Sequence, residues 1–294
     1  MKKFWLVFWG VLVVVGFLLW FLNKAEPPKG PNFLFNILGE PERVLERPLA
    51  VASQGDRVFV ADSAQGEIQV FDKWGKFLFR FPAASSSTSY PVGIALNEEG
   101  RIYVSDLRSR RLFVFSSDGK HLSDFPRDKK VLKRPSAITF ANNKLYLTDV
   151  GDHRVKIFDA AGKLTLQFGQ FGTGSGRFSY PNGIAVSQKG LIFVADSNNH
   201  RIQVFNQNGK LKKIFGRRIL TLPRGVALDQ FERVHVADTL GFRVFVFSTR
   251  GDFLFSYMPP RLKQSLPQGL AVDINSRRIY VTDRLNTWVS VWEY

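Results

Sequence analysis

Cysteine is absent from the 294 residues of this chain. Its absence excludes disulfide bonds, thiolate nucleophiles and every zinc or iron–sulfur site that depends on sulfur. Metal ligands are scarce as well, with 4 histidines and 2 methionines. Acidic residues are outnumbered, because 41 Lys and Arg against 25 Asp and Glu leave a net charge of +16, which favours anionic partners or surfaces. With 45% hydrophobic and 22% charged residues, the composition is that of a globular protein and excludes wholesale disorder.

One long apolar run stands near the start of the chain. Residues 4–22, FWLVFWGVLVVVGFLLWFL, contain no charge, and a helix of that length reaches roughly 28 Å, close to the ~30 Å hydrocarbon core of a bilayer. We therefore predict that residues 1–24 form a single-pass transmembrane signal-anchor helix in the cell membrane. Residues 25–31, AEPPKGP, are expected to be an extended Pro-rich linker.

A cleaved secretory signal peptide and a buried soluble helix are the alternatives for this run. Signal peptides usually have a shorter apolar stretch and a small-x-small cleavage site, whereas Asn23, Lys24 and Ala25 make a poor one. A soluble helix would need a polar outer face, which the run lacks. The difference in positive charge between its two flanks is small. It favours a cytoplasmic N-terminus, with the rest of the chain periplasmic or extracellular.

The remainder of the chain repeats one phrase six times. The phrase reads Pro-x-Gly-Ile-Ala, a turn, Ile-x-Val-x-Asp, a loop, Arg-Ile-x-Val-Phe, and Gly-Lys before a last apolar run, most clearly over residues 181–216. The apolar segments alternate with the two-residue period of β-strands, and Gly-containing turns suit hairpins. The phrase begins at Pro48, Pro91, Pro135, Pro181, Pro223 and Pro267. Its second strand ends at Asp62, Asp106, Asp149, Asp196, Asp238 and Asp283, at intervals of 42 to 47 residues.

Six such units predict an all-β fold, a six-bladed β-propeller with four-stranded antiparallel blades, over residues 32–294. The last unit stops after its third strand, while residues 33–39 precede the first unit and read as a strand without a blade. We predict that this N-terminal strand completes the last blade, because the pairing would remove two open sheet edges.

The phrase Ala-Asp-x-x-x-x-Arg-Ile-x-Val-Phe resembles the NHL-repeat family of six-bladed propellers, over roughly residues 32–294. The resemblance implies the fold and says little about function, because such propellers serve many unrelated roles. In blades 1 and 6 the arginine of this phrase is replaced by Glu67 and Trp288. Blades 2 to 5 carry it as Arg111, Arg154, Arg201 and Arg243.

The recurring aspartates and arginines are expected to hold each blade together. An aspartate that ends a strand and an arginine five residues later could bridge the intervening loop or satisfy its backbone groups. An active site is needed once, whereas this arrangement recurs in blade after blade, so no catalytic residue is predicted among them. His153 and His200 also share one repeat position, and we attribute them to repetition rather than to a shared metal.

Cationic residues gather on one face when the sequence is placed on the repeat. In each blade the loop before the first strand and the loop between the second and third strands share a face, which we call the basic face. Opposing acids there are few, chiefly Glu67, Asp128 and Asp152, with Glu40, Glu42 and Glu46 near the closing strand. The predicted partner-binding residues are Arg108, Arg110, Lys129, Lys130, Lys133, Arg134, Arg177, Arg217, Arg218, Arg224, Lys263 and Arg284, with Arg127 and Arg261 in the same loops.

The sequence therefore predicts a membrane-tethered, extracytoplasmic binding or scaffold module whose basic face meets an anionic protein, polysaccharide or lipid headgroups. An ordinary solvated face is the plain alternative. Nucleic acid is expected only if the propeller lies in the cytoplasm. A metal-dependent lyase or hydrolase at the channel mouth is the rival class, because similar propellers include amidating lyases and gluconolactonase-type hydrolases. No cofactor-binding or metal-binding residue can be assigned, and zinc or calcium is left open.

Overall fold

The computed structural model describes residues 30–84, 89–126, 128–260 and 262–294, without the side chain of Lys129. The predicted transmembrane helix and most of the linker lie outside these ranges, as do Arg127 and Arg261. Within them, no helix has the length and apolar character that crossing a membrane requires. The anchor therefore stays a prediction. Pro31–Tyr294 forms one compact unit.

Six four-stranded antiparallel sheets are found in the described ranges, as predicted. The first strands of successive blades contact one another in a closed ring, with that of blade 6 against that of blade 1. Blade 1 comprises Pro48–Gln54, Arg57–Asp62, Glu67–Asp72 and Phe77–Pro82; blade 2 comprises Pro91–Leu96, Ile102–Asp106, Arg111–Phe115 and His121–Phe125; blade 3 comprises Pro135–Ala141, Lys144–Asp149, Arg154–Asp159 and Leu164–Phe168.

The remaining blades continue the same order. Blade 4 comprises Pro181–Val186, Ile192–Asp196, Arg201–Phe205 and Leu211–Phe215; blade 5 comprises Pro223–Leu228, Val234–Asp238, Arg243–Phe247 and Phe253–Tyr257; blade 6 comprises Pro267–Asp273, Arg278–Asp283, Trp288–Glu293 and Asn32–Ile37. Short 3₁₀ turns at Lys129–Val131 and Ser197–Asn199 and a small hairpin of Gly39–Glu40 with Arg43–Val44 lie in the connections. In each blade the proline that begins the first strand pairs with the aspartate that ends the second.

The outer strand of blade 6 comes from the start of the propeller. Asn32–Ile37 pairs antiparallel with Trp288–Glu293, so it ends two residues before the predicted limit of 39. The chain turns there because Gly39 adopts φ +114° and leads into the small hairpin. Ile37 is 2% exposed between blades 6 and 1. This closing strand gives every blade four strands.

The cores lie between adjacent blades. Phe59 and Phe81 of blade 1, for example, pack in one cluster with Ile94 and Val104 of blade 2. Each sheet is therefore covered on both faces, which explains why the second strands are buried along nearly their whole length. Loops at the two rims are left to carry the polar and charged groups.

Replacing Ile37 with Ala should lower the free energy of unfolding by about 2–5 kcal/mol, because it leaves a cavity in the core beside the closing strand. Leu34, three residues earlier in the same strand and 37% exposed, is the matched control, and Leu34→Ala should cost much less. Denaturant unfolding of the full chain in detergent measures both. Equal losses for the two variants would contradict the observed pairing of this strand.

Candidate functional site

The repeat aspartates hold the loops that lead into the first strands. Asp149 accepts hydrogen bonds from the backbone N–H groups of Lys133, at 2.8 Å, and Arg134, at 2.7 Å. Equivalent bonds to the preceding loop are made by Asp62, Asp106, Asp196, Asp238 and Asp283. All six carboxylates are buried. Five of them also accept backbone N–H bonds from the turn that follows, and Asp196 accepts instead from the side-chain amide of Asn199. One side chain in each blade thus fixes two loops of the basic face.

The repeat arginines differ from blade to blade. Arg201 is 1% exposed, and its Nε lies 2.7 Å from Oδ2 of Asp196. Its guanidinium also donates to the carbonyl oxygens of Gly174 and Arg177, which fixes the Gly-rich loop before blade 4. Elsewhere the contacts go to other groups: Arg111 to Asp124 and Arg243 to Ser256.

In blade 3 a buried lysine supplies the positive charge. Lys156 is 1% exposed, and its Nζ lies 2.7 Å from a carboxylate oxygen of both Asp149 and Asp152. It also donates to the carbonyl oxygen of Val131, at 2.8 Å. Burial by itself would raise the pKa of Asp149, but the N–H of Lys133 and the ammonium of Lys156 outweigh it and lower that pKa. This ion pair therefore fixes the Lys/Arg-rich loop before blade 3.

The predicted cations occupy the loops to which the repeat assigns them. Most are exposed on the basic face: Arg108, Arg110, Lys130, Lys133, Arg134, Arg177, Arg217, Arg218, Lys263 and Arg284. Arg224 is half-buried. On the blade 1 side, Glu40 contacts Arg80, and Glu67 lies 3.4 Å from Arg43. The acids near the closing strand are thus partly engaged by arginines of their own.

The basic face has a cavity of about 280 Å³ at its centre, where the channel opens. Arg134, Arg224 and Arg284 all line it, and no carboxylate or imidazole stands among its described lining residues. The sequence prediction placed these three arginines on one face without bringing them into one cavity. We call this cavity the channel mouth.

Each blade contributes the second residue of its repeat phrase, the one after the proline, to the lining of the channel mouth. That residue is apolar in blades 1 and 2 and polar in the other four: Leu49, Val92, Ser136, Asn182, Arg224 and Gln268. Sequence reasoning missed Ser136, Asn182 and Gln268, together with Tyr90 and Tyr180, which also line the cavity. The change from apolar to polar at one fixed repeat position was the signal that could have found the first three.

Arg224 is the least satisfied of these groups. Its Nε has no hydrogen-bond partner among the described residues. Burial and the neighbouring charge of Arg284 lower the pKa of the Arg224 guanidinium, but arginine is not deprotonated in proteins, so Arg224 keeps its charge. Two like charges therefore line one cavity, and the Nε of Arg224 is a donor without a partner among the described residues.

Close approach of the inner strands places Arg224. A Cβ built on Gly183 would lie 2.0 Å from the carbonyl oxygen of Arg224, and one on Gly225 would lie 2.4 Å from that of Gln268. Real side chains do not come so near to backbone oxygen, so glycine is required at both places. Asn182 is held beside them, since its Nδ2 donates to Ser197 Oγ at 2.9 Å.

An apolar ring forms the floor of the channel mouth. It contains one aliphatic residue from each blade, the fourth residue of the repeat phrase: Val51, Ile94, Ile138, Ile184, Val226 and Leu270. These six residues also line a second cavity of about 380 Å³. The cationic opening and the lower channel are therefore separated by hydrocarbon.

The two equivalent histidines lie in turns outside the channel mouth. His153 Nδ1 accepts the N–H of Tyr180 at 3.1 Å, and His200 Nδ1 contacts the carbonyl oxygen of Thr221. Both adopt positive φ, at +57° and +54°. In the part of the chain that the structure describes, no group of three or more His, Asp or Glu side chains could hold a metal ion.

Two segments of the chain, residues 88–115 and 178–205, match the family model of the NHL repeat. The chain contains NHL repeats. The matches fall on the first three strands of blades 2 and 4. A stretch of 127 residues is 32% identical to Protein brain tumor of Drosophila melanogaster, covering 41% of this chain and 12% of that protein. The match thus spans a small part of a much longer relative.

Solved structures with similar folds include enzymes. Virginiamycin B lyase from Staphylococcus aureus superimposes with a TM-score of 0.61 and 14% identity, over 88% of this chain and 87% of that one. A gluconolactonase from Xanthomonas campestris gives a TM-score of 0.67 and 14% identity, over 92% and 95%. At such identities the likeness shows the propeller fold alone.

Replacing Lys156 with Met should lower the free energy of unfolding by about 3–5 kcal/mol at pH 7, because a buried carboxylate loses its cation. The folded pKa of Asp149 is lowered, so the stabilisation from its ionised form is present above the ordinary aspartate pKa of about 3.9 and is lost as the pH falls through the folded value. The difference in free energy of unfolding between the unsubstituted chain and the variant should therefore be smaller at pH 2 than at pH 7. Denaturant unfolding at both pH values measures it, with the exposed Lys163→Met as control. A deficit independent of pH would contradict the ion pair.

Proposed function

We propose that this chain is a membrane-tethered binding module that presents its basic face to an anionic protein, glycan or lipid partner outside the cytoplasm. The observation that carries the proposal is the channel mouth, where Arg134, Arg224 and Arg284 line one cavity without a carboxylate among the described lining residues. Positive charge concentrated in a concave surface attracts and orients anionic partners.

The loops around the channel mouth support the same proposal. Lys130, Lys133 and Arg217 are exposed there, and buried aspartates hold their loops to the blades. Fixed loops on a rigid scaffold are the usual carriers of binding residues, because little conformational entropy is lost when a partner arrives. The basic face is therefore suited to binding without rearrangement.

The location outside the cytoplasm depends on the apolar run of residues 4–22, whose flanks favour a cytoplasmic N-terminus. A tethered propeller meets the headgroups, glycans and protein surfaces close to its membrane. If the orientation were reversed, the same cations would face cellular RNA, and phosphate contacts would become the leading interaction.

A metal-dependent enzyme is the second candidate, favoured by the likeness of the fold to a lyase and a gluconolactonase. Acid–base hydrolysis or elimination needs a group that can move a proton at the reacting centre. The described lining of the channel mouth offers arginines, amides and hydroxyls, and lacks carboxylates and imidazoles. That residue set supports binding ahead of catalysis.

The triple variant Lys130→Gln, Lys133→Gln, Arg217→Gln should weaken capture of an anionic partner about tenfold at low salt. The full chain in detergent would be tested against polyglutamate, polygalacturonate and phosphatidylglycerol vesicles, with an RNA homopolymer as a fourth probe. The matched control is Lys144→Gln, Lys163→Gln, Arg250→Gln, which removes the same charge from the opposite face. Capture should fall with rising salt. Capture of no polyanion at low salt, or equal loss in both variants, would overturn the proposal.

Metal analysis of the purified full chain separates the two candidate functions. We expect zinc and calcium well below one equivalent, because the described residues offer no cluster of ligands. Turnover of a simple lactone would be followed in the same sample. One equivalent of either metal, together with turnover that a chelator abolishes, would favour the enzyme.

A further inference from the structure

We propose that the channel mouth is a ligand site for a single oxyanionic group, a carboxylate or a phosphate, held by Arg224 and Arg284. This inference rests on the proposed function and makes it more specific, because it names the group of the partner that enters the propeller. Exposed cations on the rim attract an anionic partner in general, whereas the channel mouth selects one group.

The first argument is the unused hydrogen-bonding capacity of Arg224. This guanidinium is half-buried, and its Nε finds no partner in the described chain. Buried donors are nearly always satisfied in folded proteins, and an unsatisfied one costs free energy. The planar fork of arginine matches the two oxygens of a carboxylate or phosphate. An oxyanion at this place would supply the missing acceptor.

The second argument is charge. Arg224 comes from blade 5 and Arg284 from the turn of blade 6, and both line the same cavity. Within the described lining no acidic side chain offsets them. A bound anion would remove this repulsion, and partial desolvation makes the attraction stronger than it would be at an open surface.

The third argument is size and depth. The cavity measures about 280 Å³, slightly below the roughly 300–1,000 Å³ of drug-sized ligand pockets. Its floor is aliphatic, with Ile184 and Val226 on the arginine side. A small charged group therefore fits at the top, where the arginines are, above a lining that offers an anion no charged partner.

Inorganic phosphate and glucuronate, titrated into the full chain in detergent at low salt, test the site by calorimetry. Both should bind in saturable fashion, and neutral glucose should not. Arg224→Gln should weaken the binding of each anion at least tenfold, whereas Arg250→Gln, on the opposite face, should leave it unchanged. Thermal unfolding of each variant checks that the fold is kept, and Arg224→Lys should retain part of the phosphate affinity because it keeps the charge.

The relative affinities identify the source of the group, since tighter phosphate binding favours a phosphate ester and tighter glucuronate binding favours an acidic sugar. Absence of saturable binding, or equal binding by folded Arg224→Gln, would overturn the inference. The proposed function fails separately. If the triple variant of Lys130, Lys133 and Arg217 loses polyanion capture while phosphate does not bind to the unsubstituted chain, the proposed function is supported and the oxyanion site is contradicted. If phosphate binds through Arg224 while the same triple variant captures polyanions unchanged, the oxyanion site is supported and the proposed function is contradicted.

Discussion

Buried carboxylates joined to backbone N–H groups determine where the loops of the basic face lie. Each repeat aspartate stands at the point where the second strand of its blade ends, and it binds the loop that leads into the first strand. Charge-assisted bonds of this kind are short and strong. Because the loop on one side and the turn on the other share the same carboxylate, the cations on both are held at fixed positions around the channel.

Blade 3 shows how one interaction serves both packing and charge. Lys156 is buried, yet it holds Asp149, Asp152 and the carbonyl oxygen of Val131 together. The loop fixed in this way carries Lys130 and Arg134, one on the rim and one in the channel mouth. A positive charge inside the fold thus fixes a loop that carries positive charges outside it, and it engages the carboxylates of Asp149 and Asp152.

The sequence predicted the six blades because turn residues and two-residue alternation recur at nearly constant spacing. It also placed the N-terminal strand in blade 6, although Gly39 ends that strand earlier than the pattern indicated. The cation paired with Asp149 was not foreseen, because strand alternation does not distinguish a buried lysine from an exposed one. The grouping of Arg134, Arg224 and Arg284 required the closure of the ring, which brings together residues far apart in the chain.

The aliphatic ring below the channel mouth has a consequence for exchange. A charged ligand that moved past Ile94, Ile138 and their counterparts in the other blades would leave the arginines for a lining without a charged side chain among its described residues, and leaving such partners is costly. A ligand would then bind and dissociate through the same opening, on the basic face. Anything that covers the opening of the channel mouth, such as the remainder of a large partner, would lengthen the residence time of the small group bound beneath it.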